Sequence, residues 1–164
     1  MKEVIIIGAG GHAAEIDEYI QYANKQRTEQ LKVVGFLDDD PDSYSSYKFS
    51  APFLGTIAEH EVKANWFYIM GIANPEFRKK IISQSLSNGA QFLTIIHPNA
   101  YVSQSSKIGI GNVIGPYVNI GPNVRIGGYN LINSRTSLGH DTKIGDFNFI
   151  SPNVSFSYVS EPAT

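Results

Sequence analysis

The amino-acid sequence predicts an α/β, Rossmann-like N-terminal domain followed by a left-handed parallel β-helix of hexapeptide repeats. Two observations predict this fold. The charged residues are concentrated early in the chain, because 21 of the 28 lie before His97 and only six lie between His97 and Phe156. In that second stretch an aliphatic or aromatic residue recurs at every sixth position from Ile96 to Phe156, eleven times in all. We therefore expect two domains, residues 1–94 and 95–164.

The elements of the first domain follow from apolar runs that alternate with a helical pattern. Val4 to Ile7 is a continuous apolar run that suits a buried parallel strand. After the turn Gly8–His12, apolar residues return at helical spacing. Further strands are expected over 33–37, 66–72 and 92–96, a helix over 75–86, and an exposed loop over 42–48. Alternating strands and helices indicate a small, open parallel sheet.

The six-residue period in the second domain is typical of a parallel β-helix, in which three hexapeptides make one coil. We expect the aliphatic residues to point inward and to stack on their counterparts in the next coil. Glycine follows many of them, and glycine and asparagine are expected to supply the left-handed backbone of the corners. An ordinary β-sandwich rich in Ile and Gly would have to place eleven hydrophobic residues in phase by chance.

The composition excludes several classes of protein. The chain has no cysteine, which excludes disulfides, thiolate metal sites and a cysteine nucleophile. A net charge of −2 and a pI of about 6.1 give no basic surface for nucleic acid. No apolar run has the length of a membrane span or of a signal peptide, so we expect a cytoplasmic protein without membrane insertion.

The turn Gly8-x-Gly10-x-x-Ala13 between a strand and a helix is a fingerprint of dinucleotide-binding folds. Its glycines allow a phosphate to approach the backbone at a helix N-terminus. Asp38 and Asp39 end the second strand, where such folds bind a ribose or base. A tight turn without ligand and a solvated acidic loop are the alternatives, and a nicotinamide enzyme is least favoured because the sheet is small.

His140 is the strongest candidate for chemistry in the repeats. It follows a corner glycine, so it should project from the coil, and Asp141 could hold its tautomer and stabilise the imidazolium. An exposed histidine without function is the alternative. The repeats hold only one other histidine, His97, which is a candidate junction residue, so no metal site is expected. Arg125 and Arg135 could contact an anion or a second subunit, although solvated coil faces explain them more simply.

Several motifs occur in a fixed order along the chain. They are Val4–His12, Gly35–Asp39, Gly71–Arg78, Ile96–Pro98, Asn133, Gly139–Asp141 and Ile144–Asp146. With these motifs the sequence resembles the NeuD-like sialic acid O-acetyltransferases, a family that includes N-acetyltransferases of nucleotide-linked amino sugars. The resemblance extends to about Phe156.

The resemblance implies an acyltransferase that moves an acetyl group from acetyl-CoA to a UDP-, dTDP- or GDP-linked amino sugar. In the family, the N-terminal domain binds the nucleotide, the β-helix forms a homotrimer, and acetyl-CoA lies between subunits. By position, the resemblance assigns the phosphates and sugar to Gly10, Gly11 and His12, the base to Asp38 and Asp39, the acceptor to Asn133, the general base to His140 and its orientation to Asp141.

Two positions depart from the family pattern at the CoA site. Phe149 stands where members often have a second histidine at the thioester, and Tyr158 stands where they often have a glycine whose N–H faces it. The repeat also spans fewer than four full coils, so the domain 95–164 is expected to be truncated. The alternatives are therefore a shortened, non-catalytic trimer or fragment that binds the nucleotide sugar but not CoA, and a purely structural trimer.

Overall fold

A computed structural model describes residues 1–27 and 30–157. The elements of its first part are β1 (Lys2–Ile7), α1 (Gly11–Lys25), β2 (Leu31–Leu37), α2 (Pro41–Ser45), β3 (Phe53–Gly55), β4 (Phe67–Met70), α3 (Pro75–Ser87) and β5 (Gln91–Phe92). The strands form one parallel sheet in the order β3-β2-β1-β4-β5. This confirms the predicted open α/β sheet.

Strand β1 lies in the middle of this sheet and is buried on both faces. Val4 and Ile6 pack into the apolar cluster that contains the buried side of α1, whereas Ile5 and Ile7 pack into the cluster that contains Ile82 of α3. Burial on both faces explains why the strand is an unbroken apolar run rather than an alternating one.

The second part is a parallel β-helix in which two-residue strands stack into three faces. Face 1 consists of β6 (Ile95–Ile96), β9 (Val113–Ile114), β12 (Leu131–Ile132) and β15 (Phe149–Ile150). Face 2 consists of β7 (Tyr101–Val102), β10 (Asn119–Ile120), β13 (Ser137–Leu138) and β16 (Ser155–Phe156). Face 3 consists of β8 (Lys107–Ile108), β11 (Arg125–Ile126) and β14 (Lys143–Ile144). The predicted β-helix is confirmed.

The chain visits the three faces in turn, so each circuit is one coil and the turns stack into three corners. Corner 1 joins face 1 to face 2, corner 2 joins face 2 to face 3, and corner 3 joins face 3 to face 1 of the next coil. The second residue of most strands points inward, and these side chains form a separate core between the faces. Corner 2 therefore lies opposite face 1.

Left-handed backbone occurs at every corner, but not at the glycines that follow the aliphatic residues. The left-handed residues of the corners are Gly111, Tyr117, Asn123, Tyr129, Arg135, Asp141, Phe147 and Asn153. Asparagine takes this role as expected, whereas the expectation for most glycines is wrong. The glycines that follow the aliphatic residues permit close approach between coils instead, since a Cβ on Gly109 would lie 2.6 Å from the carbonyl oxygen of Gly127.

Three short segments differ from the prediction, and the first is the edge strand β3, which was not predicted. The expected loop at 42–48 begins with helix α2, because the Asp40 carboxylate accepts the Asp42 N–H and Pro41 fits the first helical turn. The expected strand at 92–96 is divided between two sheets. The Thr94 hydroxyl donates to the carbonyl oxygen of Gly109 in corner 3, which turns the chain from β5 into face 1.

Helix α1 lies along face 1, and its successive turns contact successive coils. Tyr19 and Tyr22 pack against His97 in the first coil, with ring centroids 5.1 and 5.0 Å from the imidazole. At the other end, His12 packs edge-on against Phe149 in the fourth coil, with 5.4 Å between centroids. Ten helical residues rise about 15 Å, and three strand spacings cover about 14 Å. The N-terminus of α1 therefore lies level with the later coils.

A ladder of asparagine side chains closes corner 3. Asn130 is fully buried, and its Oδ1 accepts both the backbone N–H and the Nδ2 group of Asn148, at 2.8 and 2.9 Å. Its own Nδ2 group donates to the Gly145 carbonyl and to Oδ1 of Asn112, both at 2.9 Å. Each coil is thus fastened to the next by amide hydrogen bonds as well as by strand pairing.

Replacing Asn130 by alanine is expected to lower the free energy of unfolding by about 1–3 kcal/mol, because the buried Asn112 and the more exposed Gly145 and Asn148 lose hydrogen bonds. Urea unfolding followed by circular dichroism measures the change. Asn119→Ala is the matched control, because Asn119 is exposed and makes one 3.3 Å contact with Ser137. Equal losses in the two variants would contradict a structural role of the ladder.

Candidate functional site

The turn between β1 and α1 presents an uncapped helix N-terminus. Gly10 occupies the N-cap position, and no side chain accepts a hydrogen bond there. Asp38 braces the turn from β2, since its Oδ2 accepts the Ala9 N–H at 2.7 Å and its Oδ1 accepts the Asp40 N–H at 2.9 Å. An uncapped N-terminus attracts a phosphate. The hydrogen bonds of Asp38 give this residue a structural role, because they stabilise the turn.

Asp39 points the other way from this turn and lines a cavity of about 360 Å³ beside α3. Its Oδ1 accepts the N–H groups of Ile57 and Ala58, at 2.8 and 3.2 Å. The exposed ring of Phe77 and the side chain of Lys80 line the same cavity. A carboxylate next to an aromatic ring suits a nucleoside. The carboxylate can accept hydrogen bonds from hydroxyl or amide groups, and the ring can stack on a base.

His60 also lines this cavity. It lies in a turn, and its Nε2 is 3.0 Å from the Tyr68 hydroxyl. Burial lowers the pKa of His60, and the charge of Lys63 adds to that effect. Sequence patterns did not assign His60 and Tyr68 to a cavity, because much of the rest of its lining comes from β1, β2 and α3, which are distant from them in the sequence. Their only sequence signal was a histidine beside a polar run.

A hollow of about 390 Å³ adjoins the N-terminus of α1 and is lined by Gly11, His12 and Tyr47. Gly11 lies close to this tyrosine, because a Cβ on it would be 3.2 Å from the Tyr47 hydroxyl and would require the Tyr47 side chain to shift slightly. His12 contacts Glu15 through its Nδ1 at 3.2 Å. Tyr47 is half-exposed and was not identified from the sequence, because nothing local in the Ser- and Tyr-rich segment marks which hydroxyl reaches the turn.

Three of the predicted site residues meet where α1 rests on the later coils. His12 packs on Phe149, and His12 and Asn133 line the same narrow gap between α1 and face 1. Asn133 is buried, and its Nδ2 donates to the Ile150 carbonyl at 3.2 Å. We call His12, Asn133 and Phe149 the face 1 cluster. Tyr158, the other residue assigned to the thioester, lies outside the described residues.

His140 and Asp141 lie together at corner 2. Nδ1 of His140 is 2.7 Å from Oδ2 of Asp141, and 65% of the His140 side chain is exposed. The left-handed backbone of Asp141 turns its carboxylate back toward the ring. The hydrogen bond from His140, reinforced by one from Asn123, lowers the pKa of Asp141. An ionised Asp141 favours the proton on Nδ1, which makes Nε2 the proton acceptor of the ring.

Corner 2 and face 1 are on opposite sides of the β-helix, so one chain does not bring all its predicted site residues together. His140 belongs to the third coil, and the face 1 cluster lies at the third and fourth coils. The two groups are therefore at the same height along the stack but point away from each other.

The described residues contain no group of His, Cys, Asp or Glu side chains arranged to hold a metal ion. Over the same residues, no helix combines the length and the apolar character that crossing a membrane requires.

Comparison with known families finds one match in the N-terminal part. The model of the PglD N-terminal domain family matches residues 3–85. The chain is also 30% identical over 116 residues to UDP-N-acetylbacillosamine N-acetyltransferase of Bacillus subtilis (strain 168), covering 70% of this chain and 51% of that protein. It is 28% identical over 113 residues to GDP-perosamine N-acetyltransferase of Escherichia coli O157:H7, covering 69% and 51%. The chain thus spans about half the length of these relatives.

Solved structures share the fold. The acetyltransferase domain of PglB from Neisseria gonorrhoeae FA1090, in complex with acetyl coenzyme A, superposes with a TM-score of 0.79 and 24% identity, covering 95% of this chain and 73% of that one. PerB from Caulobacter crescentus, in complex with CoA and GDP-perosamine, gives a TM-score of 0.55 and 18% identity, covering 96% and 92%. At these identities the likeness establishes the architecture.

Proposed function

Since this chain belongs to the PglD N-terminal domain family, we propose that it is an acetyltransferase that acetylates a UDP-, dTDP- or GDP-linked amino sugar from acetyl-CoA. The observation that carries the proposal is the His140–Asp141 pair, 2.7 Å apart on an exposed corner of the β-helix. Both curated relatives are named as N-acetyltransferases of nucleotide-linked sugars. Residues 1–94 would bind the nucleotide, and residues 95–164 would carry the chemistry.

The nucleotide part of the substrate would lie across the end of the parallel sheet. The uncapped N-terminus at Gly10 and Gly11 offers amide donors and a positive dipole end to the phosphates. Asp39 lines the neighbouring cavity and would accept hydrogen bonds from the ribose or base. Asp38 supports this arrangement indirectly, because it fixes the backbone of the turn. The sugar would then extend from the turn toward His12.

The reaction is a direct transfer. The sugar's amine nitrogen attacks the carbonyl carbon of the thioester, and Nε2 of His140 removes the proton as the N–C bond forms. The C–S bond then breaks, and the proton passes to the thiolate of CoA. Asp141 stabilises the imidazolium that forms in between. The mechanism needs no covalent acyl-enzyme and therefore no nucleophilic cysteine.

A homotrimer would complete the site. His140 and the face 1 cluster lie on opposite sides of one β-helix at nearly the same height. Rotation about a three-fold axis parallel to the coil stack preserves height, so corner 2 of one subunit can face the cluster of the next. Asn133 and His12 of one subunit would position the sugar, and His140 of its neighbour would act on it. Phe149, beside them, would contact the acetyl donor.

The second candidate is a trimer that binds the nucleotide sugar without binding CoA. One observation favours it, namely that the Phe149 ring, which packs on His12, offers a thioester no hydrogen bond.

Calorimetric titration separates the two candidates. The protein is titrated in turn with acetyl-CoA and with UDP-, dTDP- and GDP-linked 4-amino sugars, and acetyl transfer is followed by thiol release. We expect binding of both ligand classes and transfer to one of the sugars. Binding of the sugar nucleotide alone, without thiol release, would establish the second candidate in place of the first. Light scattering on the same sample should give three chains per particle, and a monomer would contradict the shared site.

A further inference from the structure

Three of the few charged residues in the β-helix form a single column on face 3. Lys107, Arg125 and Lys143 are the first residues of β8, β11 and β14, and Arg125 is in register with both lysines. All three are exposed. We call these three residues the cationic column.

No carboxylate neutralises the cationic column among the described residues, whose ion pairs all involve other groups. The nearest acid in the adjoining groove is Asp141, and its two oxygens accept hydrogen bonds from His140 and Asn123. The remaining charged side chains of the repeats have partners of their own. Arg135 donates to Asn153 and Asp146 accepts from Gly128.

This arrangement carries an electrostatic cost in the absence of an anion. Neighbouring strands are about 4.8 Å apart, and like charges directly opposite each other on paired strands destabilise a sheet. Each of the three positions faces solvent, where a neutral polar residue would avoid the repulsion. A bound anion with two or more charges would convert the repulsion into attraction.

The groove beside the cationic column has the size and the chemistry for such an anion. It measures about 790 Å³, and Ser105, Asn123 and Asp141 line its corner 2 side. Three cations and one carboxylate give it a net charge of +2. The column spans about 10 Å over two strand spacings, which is long enough to surround a diphosphate and the sugar attached to it. Its third-coil end, at Lys143, lies beside Asp141 and therefore beside His140.

We propose that the cationic column binds the diphosphate of a nucleotide ligand and so directs the reacting end of that ligand toward His140. The inference deepens the proposed function and rests on it for the choice of ligand. The diphosphate is that of CoA, or that of the sugar nucleotide held by the column in place of the turn at Gly10. The binding surface itself rests on the register of the three cations and on their lack of a carboxylate partner.

The test uses Arg125→Gln and the triple variant K107Q/R125Q/K143Q, with Arg135→Gln as the control for loss of a coil cation. Dissociation constants are measured by calorimetry for inorganic pyrophosphate, UDP, CoA and dephospho-CoA at two salt concentrations. Thermal unfolding of each variant without ligand is recorded as well. We expect Arg125→Gln to weaken binding about ten-fold, or 1.4 kcal/mol, and the triple variant to weaken it further. The unliganded triple variant should be at least as stable as the parent, because the repulsion is gone.

The ligands identify which diphosphate is bound. Weaker binding of pyrophosphate and UDP with unchanged CoA supports the sugar nucleotide, and weaker binding of CoA and dephospho-CoA alike supports the donor. Loss confined to CoA, with dephospho-CoA unchanged, would assign the column to a terminal phosphate and overturn the diphosphate proposal. Changes below two-fold for every probe, or equal losses in Arg135→Gln, would overturn it too. Acetyl transfer by the parent protein is measured separately, so the proposed function and the cationic column can fail independently.

Discussion

Replacing His140 by asparagine will reduce acetyl transfer by about 10²- to 10⁴-fold, the range that a positioned general base contributes. Asparagine keeps a polar side chain of similar width at the corner but cannot accept the proton of the attacking amine. Because the His140 side chain is 65% exposed, the melting temperature should stay within about 1 °C of the parent's. Initial rates of thiol release, at saturating acetyl-CoA and sugar nucleotide, give the comparison.

Two further measurements make this result specific. The affinity of His140→Asn for the sugar nucleotide should remain within about two-fold, since the role proposed for His140 is to remove a proton during the reaction and not to bind the substrate. Asp141→Asn keeps a hydrogen-bonding side chain next to His140 but removes the charge that stabilises the imidazolium, so its rate should fall by about ten-fold. Transfer retained in His140→Asn would remove this residue from the mechanism.

Arg78 is a fully buried arginine that joins the two parts of the chain without a carboxylate partner among the described residues. Its Nη1 group donates to the Ile72 carbonyl at 2.7 Å, and its Nη2 group donates to the Tyr129 carbonyl of corner 3 at 2.8 Å. Burial lowers its pKa to about 10, so the guanidinium is still charged at neutral pH. One planar cation thereby connects the loop before α3 to the β-helix.

Replacing Arg78 by methionine is expected to lower the free energy of unfolding by about 2–4 kcal/mol, because buried carbonyl groups in both parts lose their donor. Arg78→Lys should recover part of the loss, since an ammonium group keeps the charge but reaches fewer acceptors than the guanidinium fork. Lys79→Met removes an exposed positive charge from the next position and should change stability by less than about 0.5 kcal/mol. Guanidinium denaturation of the three variants provides the values. An undiminished stability of Arg78→Met would contradict a joining role.

The repeat region was predictable almost to the residue, because its period is set by local geometry. Every aliphatic residue of the six-residue frame from Ile96 to Phe156 lies in one of the two-residue strands. The glycine roles were not predictable in the same way. Left-handed backbone and close approach of a neighbouring coil both favour glycine. The structure distinguishes Gly111, which has φ +74°, from Gly109, which faces Gly127.

The candidate site was predictable only as separate pieces. The sequence identified the turn at Gly10, the acids Asp38 and Asp39, and the pair at His140, each from a local motif. It did not indicate that Asp38 would accept the Ala9 N–H while Asp39 lines a cavity. That difference depends on the path of residues 55–58, which is not evident from the sequence. Nor did it indicate that Tyr47 contacts the Gly-rich turn, because the segment around Tyr47 has no regular hydrophobic pattern.

The course of α1 along face 1 changes how this β-helix should fold and fray. In a free-standing solenoid each coil contacts only its neighbours, so stability is nearly a sum of nearest-neighbour interactions and end coils open one at a time. Here one helix contacts the first coil through Tyr19 and Tyr22 and the fourth through His12. Opening a single coil therefore also exposes part of the surface of α1, which packs on the adjacent coils as well. This shared contact raises the cooperativity of unfolding. We therefore expect the coils that α1 contacts to unfold together, as in a globular domain, rather than one at a time.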